Sequence, residues 1–158
     1  MITLEEILST APMRALSWKQ PYGSAMLHGK IETRKRDTIY RGLVLICLSK
    51  MPYNEDVARR ISGNGLFAEM CLKLKDEPTL DMDGHAIAVG RLVKSQSPLL
   101  MSASEYADAA LKTFVQDDTF LWFHFYEDVT RIKPFPWKGS QGWRTVPSDI
   151  RNKIELLK

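Results

Sequence analysis

The sequence predicts an α+β fold in which a small mixed β-barrel carries peripheral helices. Three observations point there. Residues 43–48 and 86–93 are short apolar runs, and residues 120–126 form a third, aromatic one. Between them lie short capped segments without the regular strand–helix alternation of a doubly wound sheet. The chain has 158 residues, 44% hydrophobic and 26% charged, which suits one domain spanning residues 1–158. No repeat, low-complexity tract or linker divides it.

Taken in order, Thr3-Leu-Glu-Glu6 is a capping box that opens a short helix, ended by Pro12, so residues 1–12 read as an N-terminal helical extension. Residues 14–18 predict a strand and Gln20-Pro21 a turn. Pro21 at a first helical position starts a helix over 22–28 that stops at Gly29. Residues 31–35 alternate as an edge strand, and 43–48 form a buried one. Residues 54–62 and 65–75 read as helices separated by Gly63-Asn-Gly65, followed by an acidic, turn-rich loop over 76–84. Gly90, inside the strand 86–93, marks a bulge or a close backbone approach. Residues 102–114 predict a helix capped by Ser102 or Ser104, and residues 120–126 and 129–136 two further strands. Pro134 and Pro136 confine the second of these to an edge or mark its end, and residues 148–157 close the chain as a helix.

Several function classes drop out. No window approaches the ~18 consecutive apolar residues of a membrane helix, and Glu5 and Glu6 stand where a secretory signal would be basic. The expectation is a cytoplasmic protein without a membrane partner. Cys47 and Cys71, both among apolar residues, read as two buried free thiols. His28, His85 and His124 have no spacing that suggests a shared metal, and His124 reads as a satisfied core residue. Asp81-Met-Asp83-Gly84 resembles the start of a calcium loop but lacks the distal glutamate. With no phosphate loop, nucleophile elbow or dinucleotide fingerprint, neither metal nor cofactor is expected.

The charge is polarised. Residues 30–41 hold five bases against two acids, and residues 129–144 hold four bases and no acid, interleaved with Phe135, Trp137 and Trp143. Acidic excess collects in residues 54–83 and 104–128. Bases interleaved with aromatics suit a surface that holds phosphates and stacks nucleobases. The first basic segment contains a second signal. On a strand, Lys30, Glu32 and Arg34 share one face. That row allows three readings: a solvated ion-pair ladder, a binding face in which Glu32 meets a base edge while Lys30 and Arg34 hold phosphate, or an acid–base pair of Lys30 and Glu32.

Three stretches carry a family resemblance. Leu16-Ser-Trp-Lys-Gln-Pro-Tyr22 with Gly29-Lys-Ile-Glu-Thr-Arg34 and Tyr40-Arg-Gly-Leu-Val-Leu-Ile46 resembles the opening of an ASCH (activating-signal-cointegrator homology) domain. Residues 86–93 resemble that family's glycine-interrupted strand, and residues 137–143 its last strand and turn. The resemblance covers most of residues 14–146, with 54–75 and 102–114 as helical insertions. It implies a PUA-like barrel with a cleft beside the first helix, lined by Trp18, Lys19, Gln20, Pro21, Lys30, Glu32 and Arg34. Lys35 and Arg36 extend the first basic segment, and Trp137, Lys138 and Trp143 supply the second.

The function expected from these features is binding of RNA or of a modified nucleoside or nucleotide in a basic, aromatic-lined cleft. The alternative is a metal-independent hydrolase acting on acylated cytidine or on RNA, with Lys30 as base or nucleophile and Glu32 shuttling the proton. A protein-interaction module, steered by the polarised charge, is the third reading.

Overall fold

The structure is a computed structural model that describes residues 1–139 and 142–157. Six strands form one sheet: β1 (Met13–Trp18), β2 (Glu32–Arg34), β3 (Gly42–Leu48), β4 (His85–Gln96), β5 (Trp122–Pro136) and β6 (Arg144–Thr145), in the order β2-β5-β4-β3-β1-β6. β1 and β3 run parallel and every other pair is antiparallel. The sheet curls into a half-barrel, and Arg34 of β2 at one edge reaches Ser17 and Trp18 of β1 near the other. The fold is thus mixed α+β.

Alternation explains why β3 is so uniformly apolar. Leu43, Leu45 and Cys47 enter one core cluster, and Val44, Ile46 and Leu48 enter a second on the opposite face. Both faces of this central strand are covered, so neither side of the alternation is polar. The first face is closed by α1 (Leu4–Leu8), which contributes Ile7, and by α6 (Ser148–Arg151) with the tail beyond it. The Thr3–Glu6 capping box forms as its sequence predicts. The second face is closed by α2 (Tyr22–Ala25) and the 3-10 turn at Met26–His28. A third cluster joins Ala25 of α2 to α3 (Glu55–Ser62), α4 (Asn64–Lys73) and Phe114, which follows α5 (Ala103–Thr113).

Four expectations change. One long strand, Trp122–Pro136, stands where two were expected, and residues 120–121 precede it: Asp128, at φ 55, kinks it without ending it. At this point two residues of β5 face Gly90 alone on β4. A Cβ on Gly90 would lie 3.2 Å from Tyr126 and 3.3 Å from Val129, so the bulge and the close approach are one feature. The closing helix stops at Arg151, because the tail pairs with β5 instead, through an Ile132–Leu156 bridge and a 2.8 Å bond from the Lys133 N–H to the Glu155 carbonyl. Only Gly63 separates α3 from α4, and Gly65 lies within α4. Cys47 is buried as expected, but Cys71 is exposed because it sits on the outer side of α4.

Candidate functional site

The parallel pairing of β1 with β3 builds one end of the sheet. Trp18 is in register with Leu48, so both strands finish side by side, and the Ser49 N–H donates to the Trp18 carbonyl at 2.9 Å. Antiparallel β4 starts there and β5 ends there, with His85 opposite Pro136. The Trp137 N–H donates to the Gly84 carbonyl at 2.9 Å. Four chain segments therefore converge on a cleft of about 650 Å³. Ser17 and Lys19 come from the end of β1, Lys50 and Met51 from the loop after β3, Trp137 and Lys138 from the end of β5, and Arg34 reaches in across the curl. Gly139 belongs here because a Cβ on it would come within 2.6 Å of the Ser17 hydroxyl. Ser140 and Gln141, within the expected 137–143 turn, lie outside the described residues.

The Lys30–Glu32–Arg34 row lies on one face, as alternation requires, but it is no solvated ladder. The Lys30 and Glu32 side chains are 1% and 6% exposed. One Glu32 oxygen accepts from Lys30 Nζ at 3.1 Å and from the Thr33 N–H at 2.9 Å, and the other accepts from Arg34 Nε at 3.0 Å. Burial alone favours a neutral carboxyl, yet Lys30 and Arg34 outweigh it and hold Glu32 below the usual carboxylate range. Burial pulls Lys30 below the ordinary amine range, with Glu32 opposing it. Arg34 also donates to the Ser17 carbonyl at 3.2 Å and lies 5.0 Å from the Trp18 ring centre. The guanidinium is fixed on three sides while its side chain stays 32% exposed. Two cations against one carboxylate leave a positive excess, and the member of the trio that lines the cleft is Arg34.

The other expected site residues divide. Lys19, Trp137 and Lys138 line the cleft with Arg34. Trp18 is buried, edge-on to Tyr126 at 5.9 Å, and acts as the platform for Arg34. Gln20 is buried with both amide N–H groups engaged: its amide donates to the Ser24 hydroxyl and the Thr79 carbonyl, each at 2.9 Å, and its oxygen accepts the Ser24 N–H. Pro21 is buried behind a cis peptide bond. Lys35 and Arg36 are exposed and line no part of the cleft; the Arg36 carbonyl instead takes a 3.0 Å bond from His124 Nε2. A carbonyl only accepts, so His124 Nε2 is the protonated nitrogen. Trp137 is buried with Arg144 over its ring at 5.3 Å, and Trp143 is half-buried against Tyr40. Lys50 and Met51 were not picked out by spacing or by a charge run; the available signal was their place directly after a buried strand, where a parallel pair delivers its loops to one end.

A second buried carboxylate lies outside the cleft. Glu77, in the acidic loop, takes both ends of the Arg131 guanidinium, the Thr79 N–H and hydroxyl at 3.1 and 2.9 Å, and His28 Nε2 at 2.7 Å. Burial would raise its carboxyl, but these donors together hold it at about 2. The Thr79 hydroxyl lies 2.7 Å from that of Ser24, so the network ties α2, the acidic loop and β5 together. Among the described residues no three His, Cys, Asp or Glu side chains cluster as a metal site, and no helix is long and apolar enough to cross a membrane. No protein-family model matches this chain, and no curated protein matches it.

Proposed function

We propose that the protein is a nucleotide- or RNA-binding module, built on a PUA-like barrel of the ASCH type, with its ligand in the cleft at the end of β1 and β3. The observation that carries this reading is the charge of the cleft: Lys19, Arg34, Lys50 and Lys138 line it, and no acid is among its described lining residues. Four cations from four segments, around a volume within the roughly 300–1,000 Å³ typical of ligand sites, suit a phosphate-bearing ligand. Binding is preferred to hydrolysis because Lys30 and Glu32 are spent on each other and on Arg34, beneath the cleft rather than facing it.

The test is binding to a labelled single-stranded RNA pool across a salt series. Affinity should fall with a log–log slope of about −0.7 for each phosphate neutralised. Arg34→Ala should weaken binding to all sequences. Salt-independent binding, or none to RNA and mononucleotides alike, overturns the proposal.

A further inference from the structure

Next to the cationic cleft lies a second pocket of about 330 Å³, and Lys19 and Met51 line both. Its chemistry is the reverse of its neighbour's. Apart from Lys19 it carries no charge, and its walls come from Tyr22, Met51, Tyr53, Val57 and Ile61. Three of these are large apolar side chains left in solvent: Met51 is 60% exposed, Tyr53 39% and Ile61 38%. Such a concentration at one concave place marks a surface that awaits a partner. Tyr22 is held in position as a fixed wall of the pocket: its hydroxyl bonds the Ala58 carbonyl at 3.1 Å and the Ser62 hydroxyl at 2.8 Å, its ring packs against the core, and Lys30 Nζ lies 5.7 Å from the ring centre. Asn54 adds a polar group: its Oδ1 is occupied by the Val57 N–H at 3.2 Å, which leaves the amide N–H groups for a ligand.

We propose that the two pockets form one bipartite site, with the base of a nucleotide packed against Tyr22 and Tyr53 in the apolar annex and its phosphate held by Lys19, Lys50, Lys138 and Arg34. This rests on the nucleotide-binding reading and specifies it. An anion joined by a short linker to a flat apolar ring is the ligand that two adjoining pockets of these opposite characters accommodate. The annex is at the small end of ligand pockets, which suits a single base rather than a stacked run. Base–aromatic stacking tolerates any base, so the annex contributes affinity for nucleotides as a class.

Calorimetric titration with uridine and adenosine 5′-monophosphates, ribose 5-phosphate, uridine and an octauridylate separates the parts. The nucleotides should bind about tenfold or more tightly than ribose 5-phosphate. Tyr53→Ala should remove that advantage and leave ribose 5-phosphate unchanged, Tyr53→Phe should retain it, and Lys50→Ala should weaken both ligands. Tyr53 is exposed, so its variants should melt with the parent. Tyr53-dependent binding of the octamer but not the mononucleotides would identify RNA as the source of the nucleotide. Equal binding of nucleotide and ribose 5-phosphate, unaffected by Tyr53→Ala, overturns the bipartite site while sparing the cationic cleft. Failure of every phosphate-bearing ligand overturns the underlying reading as well.

Discussion

Glu32 and Glu77 are both buried carboxylates gripped by an arginine and a second basic side chain, yet they serve different ends. Around Glu77 the arginine, threonine and histidine bonds join three elements, and none of these donors lines the cleft. Around Glu32 the partners are a fully buried lysine and an arginine that lines the cleft. The first arrangement neutralises charge to hold the fold. The second leaves a surplus positive charge and aims it at the opening. Burial of a carboxylate is therefore no guide to its role; what its cations do with their remaining faces decides it.

Removing each carboxylate should separate the two roles most sharply. Glu32→Ala leaves buried Lys30 with the Ile31 carbonyl but no anionic partner and should cost about 3–5 kcal/mol of stability by chemical denaturation. Glu77→Ala should cost about 3 kcal/mol, at the low end because Arg131 can turn toward water. Under conditions where both variants are folded, only Glu32→Ala should lower affinity for RNA. A larger binding loss in Glu77→Ala would collapse the distinction.

Acid titrates both carboxylates, since Glu32 is also held low, and a Glu77→Gln variant isolates the share that belongs to Glu77. Its folded carboxyl titrates at about 2 against an ordinary 4.5. A lowered folded value contributes stability that is complete above about pH 4.5 and is lost as pH falls toward about 2. The contribution amounts to about 3 kcal/mol. Urea midpoints measured from pH 6 down to pH 2 should decline through that window, and Glu77→Gln should flatten the decline.

Arg34→Lys sharpens the other side. The charge is kept, but the planar grip on Glu32, the Ser17 carbonyl and Trp18 is lost. Stability should drop by about 1 kcal/mol, with affinity for RNA falling severalfold and the salt slope unchanged. An affinity equal to the parent's would show that orientation is irrelevant and charge alone matters. The smallest effects belong to Lys50→Ala and Lys138→Ala. Each should leave the melting temperature in place and reduce the salt slope by about 0.7.

Much of the scaffold was legible from local pattern. The buried strands at 43–48 and 86–93, the capping box at Thr3, the stop after His28 and the shared face of Lys30, Glu32 and Arg34 all follow from period, caps and alternation, and all appear in the structure. Two of the departures share a cause, the presence of a partner strand. Residues 153–157 have helical spacing, but an open edge of β5 beside them offers backbone bonds that a free helix end does not. Residues 127–128, between the two expected strands, lie at a bulge instead of a break because both flanks keep β4 as partner.

The candidate site was legible only in part. Arg34, Trp137 and Lys138 were visible as members of basic segments and Lys19 through the family resemblance, but Lys35 and Arg36 stood in the same basic segment as Arg34 and the structure leaves them outside the cleft. Lys50, Met51 and Tyr53 had no motif to announce them. By itself, the sequence determined which segments bury, which faces alternate and which stretches are basic, because these depend on neighbours within a turn or a strand. Which cations meet, and that the Lys30–Glu32 pair lies beneath the cleft while Arg34 borders it, was decided by the tertiary structure. Parallel pairing of β1 with β3 gathers loops distant in the chain at one end, and the curl of the sheet brings β2 across to β1.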